Sequence, residues 1–359
     1  MRFLSLFLSL FLAGSCLAGV DFYLWQRQHT GEVKTAAETF YLQSTGKLAY
    51  LAGELENPRR KIRIAPPDFI KFDRSIAVLR IHTSWMKLPP EQLASEIRKL
   101  YLPWQKCKAL EIDLDAPESK LDYYTSLIQE LRKLLPATIL SATVLPCHLK
   151  HSRKFTALAA ACDFYVLQVH GLNKEKGYWE IFDYPAAAAA VKKARSFQRP
   201  FKTALPLYCN NISADLLVKP DLHKVAALAK QAEQVIGFRL GIAGDGNSLD
   251  WQTAAAVCRK QGYAPELKVK WEKQSNGAWI LTIGNRGYFA ENVTLLLKTS
   301  SPEKLLDADT FGQIRFDRQI NGVFLRLPPT GTQKKIMWVR LTGDESPENI
   351  FTISIKDNQ

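Results

Sequence analysis

Between Val20 and Gln261 short apolar runs alternate with longer amphipathic ones, and this alternation limits the possible folds more than any other feature. Strand-like runs cover Val20–Gln26, Lys47–Glu54, Ile76–His82, Ala109–Asp115, Thr138–Leu145, Asp163–Val169, Phe201–Leu207 and Ile236–Ile242. Between them lie helix-like runs, the clearest being Ser119–Leu135. There Leu121, Tyr124, Leu127, Ile128, Leu131 and Leu135 recur at helical spacing and the run stops before Pro136. Further helices are expected from about Val33, over Pro89–Lys99, within 148–161, and over Tyr184–Phe197, Lys219–Gln234 and Ser248–Gln261, the last capped by Asn247 or Ser248. A strand followed by a helix, repeated, requires parallel neighbours with right-handed crossovers. Eight such units in about 240 residues match a (β/α)8 barrel. The rival is an open doubly wound sheet, which usually has a glycine-rich turn after its first strand. Trp25-Gln-Arg-Gln-His29 stands there instead, and Gly241-Ile-Ala-Gly-Asp-Gly246 follows the last strand, where it suits either fold.

The pattern changes at Gly262-Tyr-Ala-Pro265. Leu267–Glu272, Ala278–Ile283, Val293–Lys298, Gln313–Phe316, Val323–Leu327, Lys335–Leu341 and Phe351–Lys356 read as short strands. Asn276-Gly277 and Asn321-Gly322 are hairpin-turn signals. The expected class is α/β: a (β/α)8 TIM-type barrel over 19–262, with a C-terminal all-β sandwich-like domain over 263–359.

Residues 1–18 read as an export signal: Arg2, then the apolar run Phe3–Leu12, then small residues. Two processing routes fit. Ala13-Gly-Ser-Cys16 resembles a lipoprotein box with Cys16 as the lipidated residue, although Ala13 stands where leucine is usual; the other route is cleavage after Ala18. The expected location is therefore outside the cytoplasm: a periplasmic or outer-membrane lipoprotein, or a secreted protein. No later apolar run reaches the roughly 20 residues of a membrane span, so membrane contact is expected only through a lipid anchor.

The formal charge of +13 is spread along the chain, with Arg59-Arg-Lys61 as the longest basic run, read as a solvated loop. Nucleic-acid binding would need a concentrated basic stripe; an anionic envelope surface or acidic polysaccharide fits better. Cys107, Cys147, Cys162, Cys209 and Cys258 show no metal-type spacing and read as small buried hydrophobes, with Cys147 and Cys209 the one pair placed to bridge. No metal and no cofactor is expected.

Chemistry concentrates in Ala109-Leu-Glu-Ile-Asp-Leu-Asp115. Alternation puts Glu111, Asp113 and Asp115 on one face of the strand. Three carboxylates in a row repel each other and lose solvation, so cations, water or a polar ligand must meet them. Function in a parallel barrel lies at the carboxyl ends of the strands. Polar groups do collect there: Gln26, Arg27 and His29; Glu54 and Glu56; Arg80, His82 and Thr83; Asp113 and Asp115; His148; Gln168 and His170; Tyr208 and Asn210; Arg239 and Asp245. The opposite ends begin with Ser75, Ala109, Thr138 and Phe201. Arg80 is placed to pair with Asp113 and lower its pKa. Trp25, Trp85, Tyr178 and Trp179 offer faces for sugar rings; ordinary packing is the plainer reading of each.

Tyr23-Leu-Trp-Gln-Arg27, the Leu110–Leu121 stretch, Leu131-Arg-Lys-Leu-Leu-Pro136 and Leu140-Ser-Ala-Thr143 resemble the bacterial "domain of unknown function 3142" family over about residues 20–262. The resemblance implies a barrel akin to glycoside hydrolases and carries no assigned activity. More distantly, Asp113 and Asp115 resemble the two middle aspartates of the Asp-x-x-Asp-x-Asp-x-Glu motif in chitinase-like barrels. The acid's position in that motif falls on Pro117, which argues against chitinase-type chemistry.

The functional expectation is an exported glycoside hydrolase-like barrel that acts on or binds envelope or extracellular polysaccharide. Candidate catalytic groups are Asp113, Asp115, Glu54 and His170. Candidate substrate-binding groups are Arg80, His82, Trp25, Arg27, Gln168, Tyr208, Arg239 and Asp245. The alternative is a non-catalytic glycan-binding or scaffold lipoprotein with a degenerate site. A metal-dependent hydrolase using Asp113, Asp115, His82 and His170 is a third reading, without a known motif spacing behind it.

Overall fold

The computed structural model describes residues 19–57, 60–174, 177–213, 216–312, 314–317 and 321–357. Cys16 and the leader lie outside the described residues. Eight parallel strands close into a barrel: β1 (Asp21–Leu24), β2 (Leu48–Asn57), β4 (Ser75–Ile81), β5 (Ala109–Asp113), β6 (Ile139–Val144), β7 (Phe164–Gln168), β8 (Phe201–Pro206) and β11 (Val235–Phe238). Closure is made by β1, which pairs with β2 on one side and β11 on the other. Seven helices run back along the outside: α1 (Gly31–Gln43), α2 (Pro90–Tyr101), α3 (Leu121–Leu134), α4 (Ser152–Ala161), α5 (Tyr184–Arg195), α6 (Leu222–Gln231) and α7 (Trp251–Cys258). The expected barrel is the observed one.

Two apolar layers hold it. The larger lies between strands and helices, where Leu48, Tyr50, Leu110, Ile112, Leu127 and Leu131 are fully buried. The smaller fills the bore with Tyr23, Ala49, Ile76, Val78, Ala109, Val166, Ala204 and Ile236. At the lower end of the bore Lys202 pairs with Asp21, both largely shielded from solvent.

Strand β2 is long because, with β4 along one edge, its other edge serves two further partners. Its first half pairs with β1; its second half rises above the rim and pairs antiparallel with β3 (Arg60–Arg63). The stretch read as a solvated basic loop is thus partly a rim strand, and alternation of charged residues hid it. A register shift between Leu51 and Gly53 leaves Ala52 as an extra residue. Such a bulge reverses which side chains face inward.

Above the barrel a short hairpin joins β9 (Asn210–Asn211) to β10 (Leu217–Val218). Helix α7 is capped by Asp250, whose carboxylate accepts from the Thr253 N–H at 3.0 Å, rather than by Asn247 or Ser248.

The C-terminal part is two four-stranded antiparallel sheets. One contains β12 (Glu266–Lys273), β13 (Trp279–Arg286), β18 (Gln333–Leu341) and β15 (Leu305–Thr310). The other contains β16 (Arg315–Asp317), β17 (Gly322–Arg326), β14 (Asn292–Thr299) and β19 (Phe351–Asp357). Trp271, Leu281, Ile283, Leu295, Val323 and Val339 share one core. Strand β15 was not expected: Leu-Leu-Asp-Ala-Asp-Thr reads as a polar turn until a partner strand takes its backbone. This part meets the barrel at the loop after β11, where the Thr330 hydroxyl donates to the Ser248 carbonyl at 2.7 Å. All five described cysteines are free thiols, so Cys147 and Cys209 do not bridge.

Gly241 makes that loop possible. A Cβ there would stand 1.7 Å from the Leu249 carbonyl oxygen. Gly241→Ala is expected to destabilise the chain by about 2 kcal/mol or more, measured by denaturant unfolding; an unchanged midpoint would show that the loop accommodates the methyl.

Candidate active site

The site is assembled from the upper ends of three adjacent strands. Register places Glu54 of β2 beside Arg80 of β4, and Arg80 beside Asp113 of β5. Ala49 packs inside the bore, so strict alternation from it would turn Glu54 outward; the extra residue at Ala52 turns it in.

Glu54 carries a nearly inaccessible carboxylate, with its side chain 2% exposed. Two arginines compensate that burial. Arg80 Nη1 donates to Oε1 at 3.2 Å, and Arg27 Nε donates to Oε2. The other arm of Arg27 reaches Glu56, which Arg60 also binds at 2.9 Å. Arg80 was expected to pair with Asp113; its hydrogen bond goes to Glu54, and it acts on Asp113 only through space.

Below this rim, Glu111 is buried in the bore. Its Oε1 accepts from the Tyr23 hydroxyl and from Thr143 Oγ1 at 3.2 Å, while Oε2 has no partner. Burial pushes its pKa up to about 7, against the pull of those hydrogen bonds and of Lys202. An unpartnered buried oxygen is far less costly on a neutral acid than on a carboxylate. Two residues up the same strand, Asp113 is only half-buried. Burial first, then the negative charges of Asp115 and Glu111, push it up to about 7, opposed by Arg80 and Thr143. A carboxyl group poised there can give up a proton at neutral pH.

A cleft of about 450 Å3 opens over this row. Glu54, Glu56, Arg80, His82, Asp113 and Asp115 line it, with Leu55, Ile81 and Thr83 between them. The His82 Nδ1 accepts from the Ser84 N–H at 3.2 Å, which fixes the ring at the rim.

The remaining candidates form a second group outside this lining. His170, Tyr208, Trp25 and Phe238 pack as a ring cluster with centroids 5.2–5.4 Å apart between Trp25 and Phe238, Tyr208 and Phe238, and His170 and Tyr208. Burial pushes His170 down to about 3, so its imidazole is neutral. Tyr208 reaches His170 Nδ1 at 3.3 Å, and Gln168 Nε2 donates to the His170 carbonyl at 3.2 Å. Arg239 Nη2 donates to Asp245 at 2.6 Å. His148 is fully buried between the Ala116 carbonyl and the Leu145 N–H, a structural position. Trp85 is buried and offers no ring to a sugar. Among the described residues no three His, Cys, Asp or Glu side chains converge as a metal site.

Sequence reasoning identified the acidic row but missed Tyr23 and Thr143 as its partners. The signal was present: Tyr23 shares inward parity with Asp21, and Ser141, which stands beside Glu111 in register, shares its face with Thr143.

Residues 73–254 match the family described as a domain of unknown function (DUF3142). No curated protein matches. Among solved structures, a class V chitinase from Pseudomonas fluorescens is 8% identical, covering 67% of this chain and 98% of its own, with a TM-score of 0.48. A candidate alpha-L-fucosidase from Bacteroides thetaiotaomicron is 12% identical, covering 67% and 91%, with a TM-score of 0.43. A xylanase and alpha-amylase inhibitor protein from Scadoxus multiflorus is 10% identical, covering 67% and 97%, with a TM-score of 0.42.

The raised pKa of Glu111 has a consequence for stability. A carboxyl group raised in the fold stabilises fully below its unfolded value near 4.3, and that contribution is lost as pH rises through about 7. Glu111→Gln removes the loss. The variant is expected to gain on wild type by about 1–3 kcal/mol between pH 5 and pH 8. Urea unfolding at both pH values measures this; a pH-independent difference would contradict it.

Proposed function

The chain belongs to the DUF3142 family, and from the carboxyl chemistry at its barrel mouth we propose that it is an exported protein that binds envelope or extracellular polysaccharide and hydrolyses a glycosidic bond. The observation that carries this is Asp113: lining a cleft yet buried enough to be raised to about 7, and next to the negative charge of Asp115. Glycosidic cleavage needs a carboxylic acid to protonate the leaving oxygen and a second carboxyl group to meet the positive charge that develops on the sugar. Asp113 takes the first role and Asp115 the second. The deeper group takes the acid role because it is the one burial keeps protonated.

Glu54 has a positioning role. Both its oxygens are held by arginines, so it holds Arg80 beside Asp113 and leaves the proton transfer to others. Arg80 and His82 present donors to sugar hydroxyls, and Thr83 adds a hydroxyl at the same rim. The ring cluster of Trp25, Tyr208 and Phe238, with Gln168 and the Arg239–Asp245 pair, forms the part of the mouth that meets more distant sugar units.

A second reading is glycan binding without cleavage. The tethering of Glu54 by Arg27 and Arg80 favours it, since that carboxylate is spent on structure.

A glycan panel scored for both cleavage and binding separates the two. Asp113→Asn is expected to lower kcat by roughly 10²–10⁴-fold with binding kept, and wild-type turnover is expected to fall as pH rises above about 7. Binding without turnover on every glycan establishes the second reading. Turnover unchanged in Asp113→Asn removes the first.

A further inference from the structure

Cations gather at the base of the barrel, while exposed apolar side chains occur at both ends, Leu172, Tyr178 and Leu216 among them at the mouth. The helices start at the mouth, where Glu32, Glu91 and Asp122 occupy first turns and Asp183, Asp221 and Asp250 are caps. They end at the base, where the last turns carry Arg132 and Lys133, then Lys192, Lys193 and Arg195, then Lys230. Helix dipoles favour that arrangement, but they do not account for Lys71, Lys106, Lys108 and Arg199, which lie exposed in the loops that enter β4, β5 and β8. Among the described residues none of these four, nor Lys230, pairs with a carboxylate.

The same end carries apolar side chains in water. Leu42 in the last turn of α1 is 84% exposed. Leu102 after α2, Leu134 at the end of α3 and Ile139 at the start of β6 are exposed as well. Large apolar groups among unpaired cations are the composition of a face that lies in a lipid interface. Helices long and apolar enough to span a bilayer are absent among the described residues.

The chain enters at this end. Gly19 lies against Thr45 and Gly46, the turn that leads into β2. In sequence, Cys16 and the apolar run Phe3–Leu12 precede Gly19.

We infer that the base of the barrel is a docking face for an anionic phospholipid surface. Lysine and arginine meet the headgroups, Leu42, Leu102, Leu134 and Ile139 enter the interface, and the carboxyl-lined cleft opens away from the bilayer. This is independent of whether Asp113 catalyses.

The test uses the full chain carrying Cys16→Ser, so that no lipid can be attached. It is mixed with vesicles of phosphatidylcholine alone, or of equimolar phosphatidylcholine and phosphatidylglycerol, and the bound fraction is read by sedimentation. Preference for the anionic vesicles, weakened by salt, is expected. Adding Lys106→Glu, Arg199→Glu and Lys230→Glu together is expected to cut partitioning about a hundredfold. The control, Lys268→Glu, Lys334→Glu and Lys335→Glu in the C-terminal sheets, is expected to leave it within a few-fold. Leu42→Ser is expected to cost about tenfold. Equal partition into both vesicles, or equal loss in both triple variants, overturns the inference. So does binding to soluble dextran sulfate at the strength of vesicle binding with Leu42→Ser silent, which would assign the face to a polyanionic polysaccharide.

Discussion

A carboxyl group inside a closed barrel has little water to share its charge, and everything at the upper end of this molecule follows from how that cost is met. Glu111 lies in the bore with two hydrogen-bond donors, Tyr23 and Thr143, and one oxygen left over. The remaining solvation deficit keeps its proton on near neutrality. Asp113, directly above on the same strand, keeps its proton first because of its own burial and then because of the negative charge of Asp115 at the rim. Across the row Glu54 meets the same cost differently, by pairing with Arg27 and Arg80. Two solutions to one problem stand side by side: neutral acid on β5, paired carboxylate on β2. The first leaves a transferable proton facing a cleft; the second leaves a fixed arginine next to it.

The backbone decides which carboxylates take part. One extra residue, Ala52, turns Glu54 into the mouth and lets β2 continue above the rim to pair with β3. That extension brings Glu56 and Arg60 over the cleft and gives Arg27, at the end of β1, two carboxylates to bridge. The cleft is therefore offset toward β2, β4 and β5 instead of centred on the barrel axis. The aromatic cluster around Phe238 occupies the other side of the mouth. At the far end the last turns of the helices carry cations such as Lys192, Lys193 and Arg195.

The barrel was legible because its information is periodic. Eight alternations survive any local error, and the inward parity of Glu111, Asp113 and Asp115 needs only a strand of ordinary pleat. What was hidden depends on partners rather than period. The bulge at Ala52 leaves no mark in Leu-Ala-Tyr-Leu-Ala-Gly-Glu, where every neighbour is small or apolar. Strand β3 consists of Arg-Lys-Ile-Arg, a sequence that reads as solvated until β2 offers its edge. Proximity along the row matches Arg80 with Asp113, yet its hydrogen bond goes to the nearly inaccessible Glu54 carboxylate. His170 looked like a free base at a strand end; burial among Phe238 and Tyr208 makes it neutral and takes it out of the cleft lining.

The central claim is that the fold itself holds Asp113 protonated near neutral pH at an open cleft. Its side-chain carboxyl can be followed directly by carbon-13 NMR against pH, in wild type and in Asp115→Asn. The expected midpoint is about 7 in wild type, moving down once the neighbouring charge is gone. A midpoint in the ordinary aspartate range near 3.9 in both proteins would contradict it.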